Sequence, residues 1–503
     1  MIKNVLEYLE QSERKGPERC VYRDESQSFT FSEAGKRARA IGSGIARLEA
    51  PGRPVAVLMK KSASMIVAFL GAVYGGCCYC PIDVTMPEDR LGTIFSVLRP
   101  AAVVAEPETE ALARRLFPEG PVFLFGKLSQ TEADLPLLSR VRDHSVDSAP
   151  LYILFTSGST GVPKGVVVSH RVVINNMEWL ESEYDFGPED VFGNQVPLYF
   201  DVSDHDVYGP LKFGCTTVLI PPEYFTFTTR LISFLNEQQV TAVFWVPFAL
   251  SVAANLRSLE AEVPKYLRYI FFAGEVMPMK QLNYWRNYVP DALYCNMYGP
   301  TETYVCTYYN VDREFADTET LPIGRPCGNI EILVLVEENR LVLPGSGKSG
   351  ELCVRGCTLA SGYYNNPEKT AERFVQNPLN PWYPETIYRT GDLVSYNERG
   401  ELLYHDRMDF QIKRLGYRIE LGEIEAAAGL VPEVADCACV YDSGKQMLVF
   451  LYTGSKMEKR ELSGKLSERL PRYMMPNRYV YLEEMPRNPN GKIDRKRLKE
   501  LYA

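Results

Sequence analysis

The sequence predicts an α/β protein: a large N-terminal part built of parallel and mixed sheets with helices and an added β subdomain, then a small α+β domain at the C-terminus. Three observations predict it. Helix-like segments alternate with short apolar strands through most of the chain, as βαβ units do. The stretch 323–356 breaks that pattern, being rich in β-branched residues and cut by glycine turns. A second change falls at 405–420, after which strand and helix patterns alternate again on a smaller scale. At 503 residues the chain is also too long for a single core.

In chain order, 64-SMIVAFLGAVYGG-76 reads as a helix ending in a turn, and 101-AAVVAE-106 as a buried strand. The run 151-LYILF-155 is a strand feeding the polar connection 156-TSGSTGVPKGVVVSH-170. Strands follow at 216-TTVLI-220, 241-TAVFWV-246 and 269-YIFFAG-274. The segment 323–356 reads as antiparallel. The domains expected are residues 1–408 and 409–503.

Hydrophobic residues make up 46% of the chain and charged residues 24%, an ordinary globular balance. A net charge of -9 argues against nucleic acid or an anionic membrane as the main partner. The N-terminus lacks a signal-like apolar core, and no apolar run reaches the roughly 18 residues a membrane helix needs. A cytoplasmic location is expected, and twelve cysteines in mostly apolar contexts suit a reducing compartment. Cys77, Cys78 and Cys80 lack a second ligand pair at finger spacing, so they read as buried strand residues, not a zinc site.

The connection 156–170 is the most informative stretch. A glycine- and hydroxyl-rich turn leaving a strand can aim several N–H groups at one anion, because glycine permits the left-handed angles this takes. Gly158, Gly161 and Lys164 fall three apart, which is not Walker spacing. A plain surface loop is the competing reading.

The string resembles the phosphate loop of the adenylate-forming superfamily of acyl-CoA synthetases, luciferases and amino-acid adenylation domains. Further matches run in the family's order: 76-GCCYCPIDVTMPEDRL-91, 296-NMYGPTET-303, 350-GELCVRGCTLASGYYNNPEKTAERF-374, 388-YRTGDL-393, 409-DFQIKRLGYRIELGEIE-425 and 490-NGKIDRKRL-498. One departure is Asp406–Arg407, where the family has Gly-Arg. The resemblance implies ATP and Mg²⁺ as cofactors and a reaction that builds negative charge on phosphate, which cations and N–H donors must offset. It implies that Thr156, Ser157, Gly158, Ser159, Thr160 and Lys164 hold the phosphates. Gly274, Asn296, Tyr298 and Gly299 would bind the nucleotide, with Tyr298 stacked on adenine and Asn296 at its edge. Thr301 would touch the α-phosphate and Glu302 would bind the metal. Asp392 would accept the ribose hydroxyls with Arg407 nearby, and Lys492 would be the catalytic cation. Asp409 matches a hinge about which the small domain is mobile, while Gly416 and Tyr417 would line a tunnel for an incoming thiol.

In the amino-acid-activating branch of the family an aspartate at the place of Asp201, directly after Phe200, pairs with the substrate's α-ammonium, so the resemblance implies an amine-bearing substrate, and a buried carboxylate without a cation would be costly. A helix N-cap is the alternative role. Phe200, Val202, His205, Trp245, Phe271, Ala273, Met297, Val305 and Cys306 would form the side-chain pocket, and the bulk of Trp245, Phe271 and Met297 predicts a small amino acid, alanine- or serine-like. Apolar walls separate methylene homologues by only about 1–3 kcal/mol. The chain also resembles stand-alone ligases that load D-alanine onto a carrier protein, although Ala273 stands where those have cysteine. No carrier site appears in the sequence, so the expected acceptor is phosphopantetheine on a separate carrier protein, with the ligase itself a monomer. A fatty or aryl acyl-CoA ligase and a non-catalytic nucleotide-binding relative remain the alternatives.

Overall fold

The structure is a computed structural model that describes residues 2–158, 162–487 and 493–503. The chain divides into two compact units. One comprises residues 1–84, 99–154 and 166–406; the other gathers 85–98, 155–165 and 407–503.

The larger unit is built around a nine-stranded sheet whose centre is parallel: Val191–Asn194, Ala242–Trp245, Tyr269–Ala273 and Leu293–Tyr298 lie side by side. Strand Thr307–Asn310 then runs antiparallel to Leu293–Tyr298. A second sheet, six-stranded, contains Pro54–Leu58, Cys78–Pro81, Ala102–Ala105 and Pro150–Thr156. Strands buried on both faces need helices on both faces, and the near-continuous apolar runs of these segments meet that requirement. Helix Ala63–Tyr74 starts where the Ser62 side chain accepts from Met65 N–H at 3.2 Å, and all twelve of its residues are buried. The run 323–356 forms strands Ile330–Leu335 and Ser349–Gly356, which pair antiparallel and continue into Thr386–Tyr396. Cys78 and Cys80 are buried in a strand and Cys77 just before it, and no group of His, Cys, Asp or Glu arranged to hold a metal occurs among the described residues.

The smaller unit carries the hairpin Gln411–Arg414/Tyr417–Glu420 and the three-stranded sheet Val434–Asp442, Met447–Gly454 and Arg478–Tyr481, with its own apolar core. The hairpin turns at Leu415 (φ 55°) and Gly416 (φ 80°), two successive left-handed residues of the kind a tight two-residue hairpin demands. No helix among the described residues is long and apolar enough to cross a membrane.

Candidate functional site

On the larger unit, strands 242–245, 269–273 and 293–298 set the floor of the site. Their register places Phe244 beside Phe271, Phe271 beside Cys295, and Ala273 beside Met297, so these side chains share one face. His205, on helix Asp204–Phe213, completes a stack. Its ring lies 4.5 Å from that of Phe244 with planes 7° apart, and Phe244 lies 4.6 Å from Phe271 at 6°. Tyr304 also stacks on His205 at 5.3 Å. Val305 and Cys306 are buried in the same core, with Val202 packed against it and Phe200 half-buried. Gly274 follows the strand at φ 98°.

Trp245 does not join this group. Side chains alternate along a strand, so the residue after Phe244 faces the opposite side. There Trp245 donates its indole N–H to Gly193 O at 2.8 Å and meets Phe225 edge-on. Phe244, not Trp245, shares the face of Phe271 and Ala273.

Asp201 lies in the 3₁₀ turn Asp201–Ser203 and is half-buried. Its Oδ1 accepts the adjacent Val202 N–H at 2.9 Å, and the helix beginning at Asp204 has Ser203 at its N-cap. Asp201 is therefore not the cap of that helix. Behind it, Asp204 is fully buried, receives the Tyr152 hydroxyl, and is driven by burial well above the usual carboxylate range. His205 is held down to about 4 by burial, hence neutral. Its Nδ1 lies 3.2 Å from Val202 O and 3.4 Å from the Tyr304 hydroxyl, while its buried Nε2 has no hydrogen-bond partner among the described residues.

The string 296–303 folds as the end of strand Leu293–Tyr298 and a turn through Gly299 and the half-buried Thr301. Asn296 donates to Pro322 O at 2.8 Å. Tyr298 donates its hydroxyl to the buried Asp392 carboxylate, so the two residues expected at adenine and ribose are joined directly. Glu351 supports Asp392 from behind: it accepts Gly391 N–H at 3.0 Å and Arg389 Nε at 2.8 Å. Glu302 is fully buried and its Oε1 accepts the Tyr363 hydroxyl at 2.7 Å. Glu351 and Tyr363, both within 350–374, thus serve to hold the backbone next to Asp392 and the Glu302 carboxylate.

On the smaller unit, Thr156 ends its strand, with its hydroxyl 3.5 Å from Lys164 O. Ser157 donates to Arg418 O at 2.8 Å. Gly158 is required by close approach, because a Cβ there would stand 2.0 Å from Val162 O. Ser159, Thr160 and Lys492 lie outside the described residues. Arg407 forks onto Asp409, Nε and Nη2 each 2.7 Å from a carboxylate oxygen. Tyr417 stacks on Tyr473 at 3.8 Å, next to Gly416. Arg90 and Glu423, from two of the strings quoted above, form a buried ion pair that spacing alone could not reveal.

A glycine loop entered from a strand on one unit, and on the other an apolar ring wall with acidic neighbours, belong to an AMP-forming ligase of the amino-acid-activating class. The chain is a member of the AMP-binding enzyme family, whose model matches residues 9–364; the AMP-binding enzyme C-terminal domain matches 423–492. The L-proline–[L-prolyl-carrier protein] ligase of Streptomyces coelicolor is 34% identical over 94% of this chain and 92% of its own length. Zwittermicin A synthase ZmaJ of Bacillus cereus is 30% identical, covering 98% and 94%. Tyrocidine synthase 3 of Brevibacillus parabrevis is 31% identical over 99% of this chain, but the match spans only 8% of that synthase. Among solved structures, IdnL1 superposes with a TM-score of 0.83 at 26% identity, over 97% of this chain and 99% of its own. The Vibrio cholerae adenylation domain AlmE, in complex with glycyl-adenosine-5'-phosphate, shares the fold: TM-score 0.84 at 22% identity, over 99% and 98%. The expected likeness to D-alanine ligases gives way to a likeness to an L-proline ligase.

Proposed function

We propose that the protein activates a compact apolar amino acid, proline foremost, as its aminoacyl-AMP and passes it to the phosphopantetheine thiol of a separate carrier protein. The observation that supports the substrate is the stack of parallel rings, Phe244 between His205 and Phe271, in the same core as Ala273 and Met297. A rigid aromatic lining of this kind suits a small ring better than a branched or charged side chain. Proline also keeps a cationic amine for Asp201. The proline-named relative points the same way. Removing Trp245 from the pocket weakens the case for alanine.

In the first half-reaction a carboxylate oxygen attacks the α-phosphorus of ATP, and the bond to pyrophosphate breaks. In the second, a thiol sulfur attacks the activated carbonyl carbon and AMP leaves. Thr156, Ser157, Gly158, Ser159, Thr160 and Lys164 are assigned to the phosphates, Asn296 and Tyr298 to adenine, Thr301 to the α-phosphate, Asp392 and Arg407 to the ribose, and Lys492 to the transferring charge. The Glu302 carboxylate is a hard oxygen donor of the sort Mg²⁺ takes beside phosphate oxygens, and the ion would offset phosphate charge there. The boundary is placed at 408/409 with Asp409 as hinge, its carboxylate gripped by Arg407 in this conformation.

The unpartnered His205 Nε2 favours a second substrate, one whose side chain donates a hydrogen bond, such as serine. ATP–pyrophosphate exchange across the proteinogenic amino acids, D-alanine, D-serine, β-alanine and several fatty and aryl acids tests both. Proline-dependent exchange is the expected result. Signal confined to serine would favour the second substrate, and signal confined to acids lacking an amine would overturn the assignment.

A further inference from the structure

Strand Val191–Asn194 ends just before the segment that carries Phe200, Asp201, Val202 and His205. Past a strand's end, main-chain carbonyls lose their ladder donors and need others. Asn194 O keeps the Ile220 N–H at 3.0 Å, and the further donor, which also serves Gln195 O just past the strand, is a side chain from a distant element. The Lys61 ammonium donates to Gln195 O at 2.9 Å and to Asn194 O at 3.3 Å. Lys61 as a residue is half-buried, but its ammonium end is enclosed, and burial drives its pKa down to about 7 while Asp206 opposes the fall.

Asp206 closes the other end of the same segment. It is fully buried, accepts from Asn194 Nδ2 at 2.7 Å, and leaves its Oδ1 without a hydrogen-bond partner among the described residues. Burial pushes its carboxyl up to about 7, with Asn194 and Lys61 pulling it back. Thr217 fixes the Asp206 main chain by donating to its carbonyl at 2.7 Å. The segment 194–206 is therefore gripped near its start by a buried cation and at its end by a buried carboxylate, each favouring the charged form of the other.

We propose that Lys61 and Asp206 are a positioning pair that holds the 195–203 segment, and with it Asp201, in the register needed for the substrate's α-ammonium. This rests on the reading of Asp201 given above. Neither residue touches the reacting atoms; the pair acts through main-chain carbonyls and Asn194.

The test is steady-state ATP–pyrophosphate exchange by the full chain with proline, comparing Lys61→Met, Lys61→Arg, Asp206→Asn and the double variant Lys61→Met/Asp206→Asn. Lys61→Met should raise the KM for proline about tenfold or more while the KM for ATP stays within about twofold. Lys61→Arg should restore most of the loss, and the double variant should lose less than the two single losses multiplied, because the neutralised partner no longer needs the cation. Should Lys61→Met fail to fold, Asp206→Asn, which keeps the volume, carries the same expected split between the two KM values. Equal shifts in both KM values, or a lowered Tm with unchanged kinetics, would overturn the pair's positioning role. Asp201→Ala assayed with proline and with its amine-free analogue tetrahydrofuran-2-carboxylate separates the two claims. If Asp201→Ala discriminates between the acids and Lys61→Met leaves the proline KM unmoved, the positioning pair falls alone; if Asp201→Ala harms both acids equally, the ammonium reading falls.

Discussion

The two faces of strands Ala242–Trp245 and Tyr269–Ala273 carry equally bulky residues and do opposite things. On one face Phe244 and Phe271 stack with His205 in the core that also holds Ala273, Met297 and Val305. On the other, Trp245 and Phe272 pack with Leu250, Leu282 and Trp285 in a second core, against whose edge Phe200 and Val202 also pack. Size does not decide which residue a substrate meets; the phase of the strand does. A wall built of large residues can belong to a binding site or to a foundation, and only the register tells them apart.

The largest effect should come from attacking the foundation. Trp245→Ala removes a fully buried indole and its hydrogen bond to Gly193, and should lower the free energy of unfolding by about 3–5 kcal/mol. Its proline-to-alanine preference should stay within about twofold of the parent, and a larger change would place Trp245 back at the substrate. On the other face, Phe244→Leu should cost only about 1–1.5 kcal/mol of stability but shift that same preference by about tenfold, which urea unfolding and pyrophosphate exchange would show together.

A smaller effect is expected from pH. His205 beneath the ring wall and the buried His170 are held down to about 4 and about 3, from the usual 6.5, by burial. Their folded pKa values lie below the unfolded one, so this contribution is complete above about 6.5 and is lost as pH falls toward the folded values. The urea midpoint should therefore decline between pH 7 and pH 5, and His205→Gln should flatten part of that slope. An unchanged slope would mean that His205 is already protonated in the fold.

Much of the architecture was legible because apolar runs, glycine turns and helix caps are local. The strands at 102–105, 216–219, 242–245 and 269–273 fall within the runs that suggested them. Local reasoning failed over phase. The run 241-TAVFWV-246 is apolar at nearly every position, as a strand buried on both faces must be, so it gives no alternation from which to tell Phe244 from Trp245. Contacts between distant positions were equally hidden. Arg90 meets Glu423 across 333 positions, and Lys61 reaches Gln195 across 134, with no spacing rule to announce either. The Tyr298–Asp392 bond joins two motifs that were each recognised singly. The N-cap role weighed for Asp201 failed because the helix it would have capped begins three residues later, at Asp204.

The central claim is that Asp201 selects an amine-bearing acid on this ring wall. It is tested most directly by ATP–pyrophosphate exchange with Asp201→Ala and the parent chain, each given proline and tetrahydrofuran-2-carboxylate at equal concentration. Loss of an interaction with a charged group should lower kcat/KM for proline by about ten- to a hundredfold and leave the amine-free acid within about twofold. An equal loss for both acids would contradict it and leave Asp201 a purely structural residue.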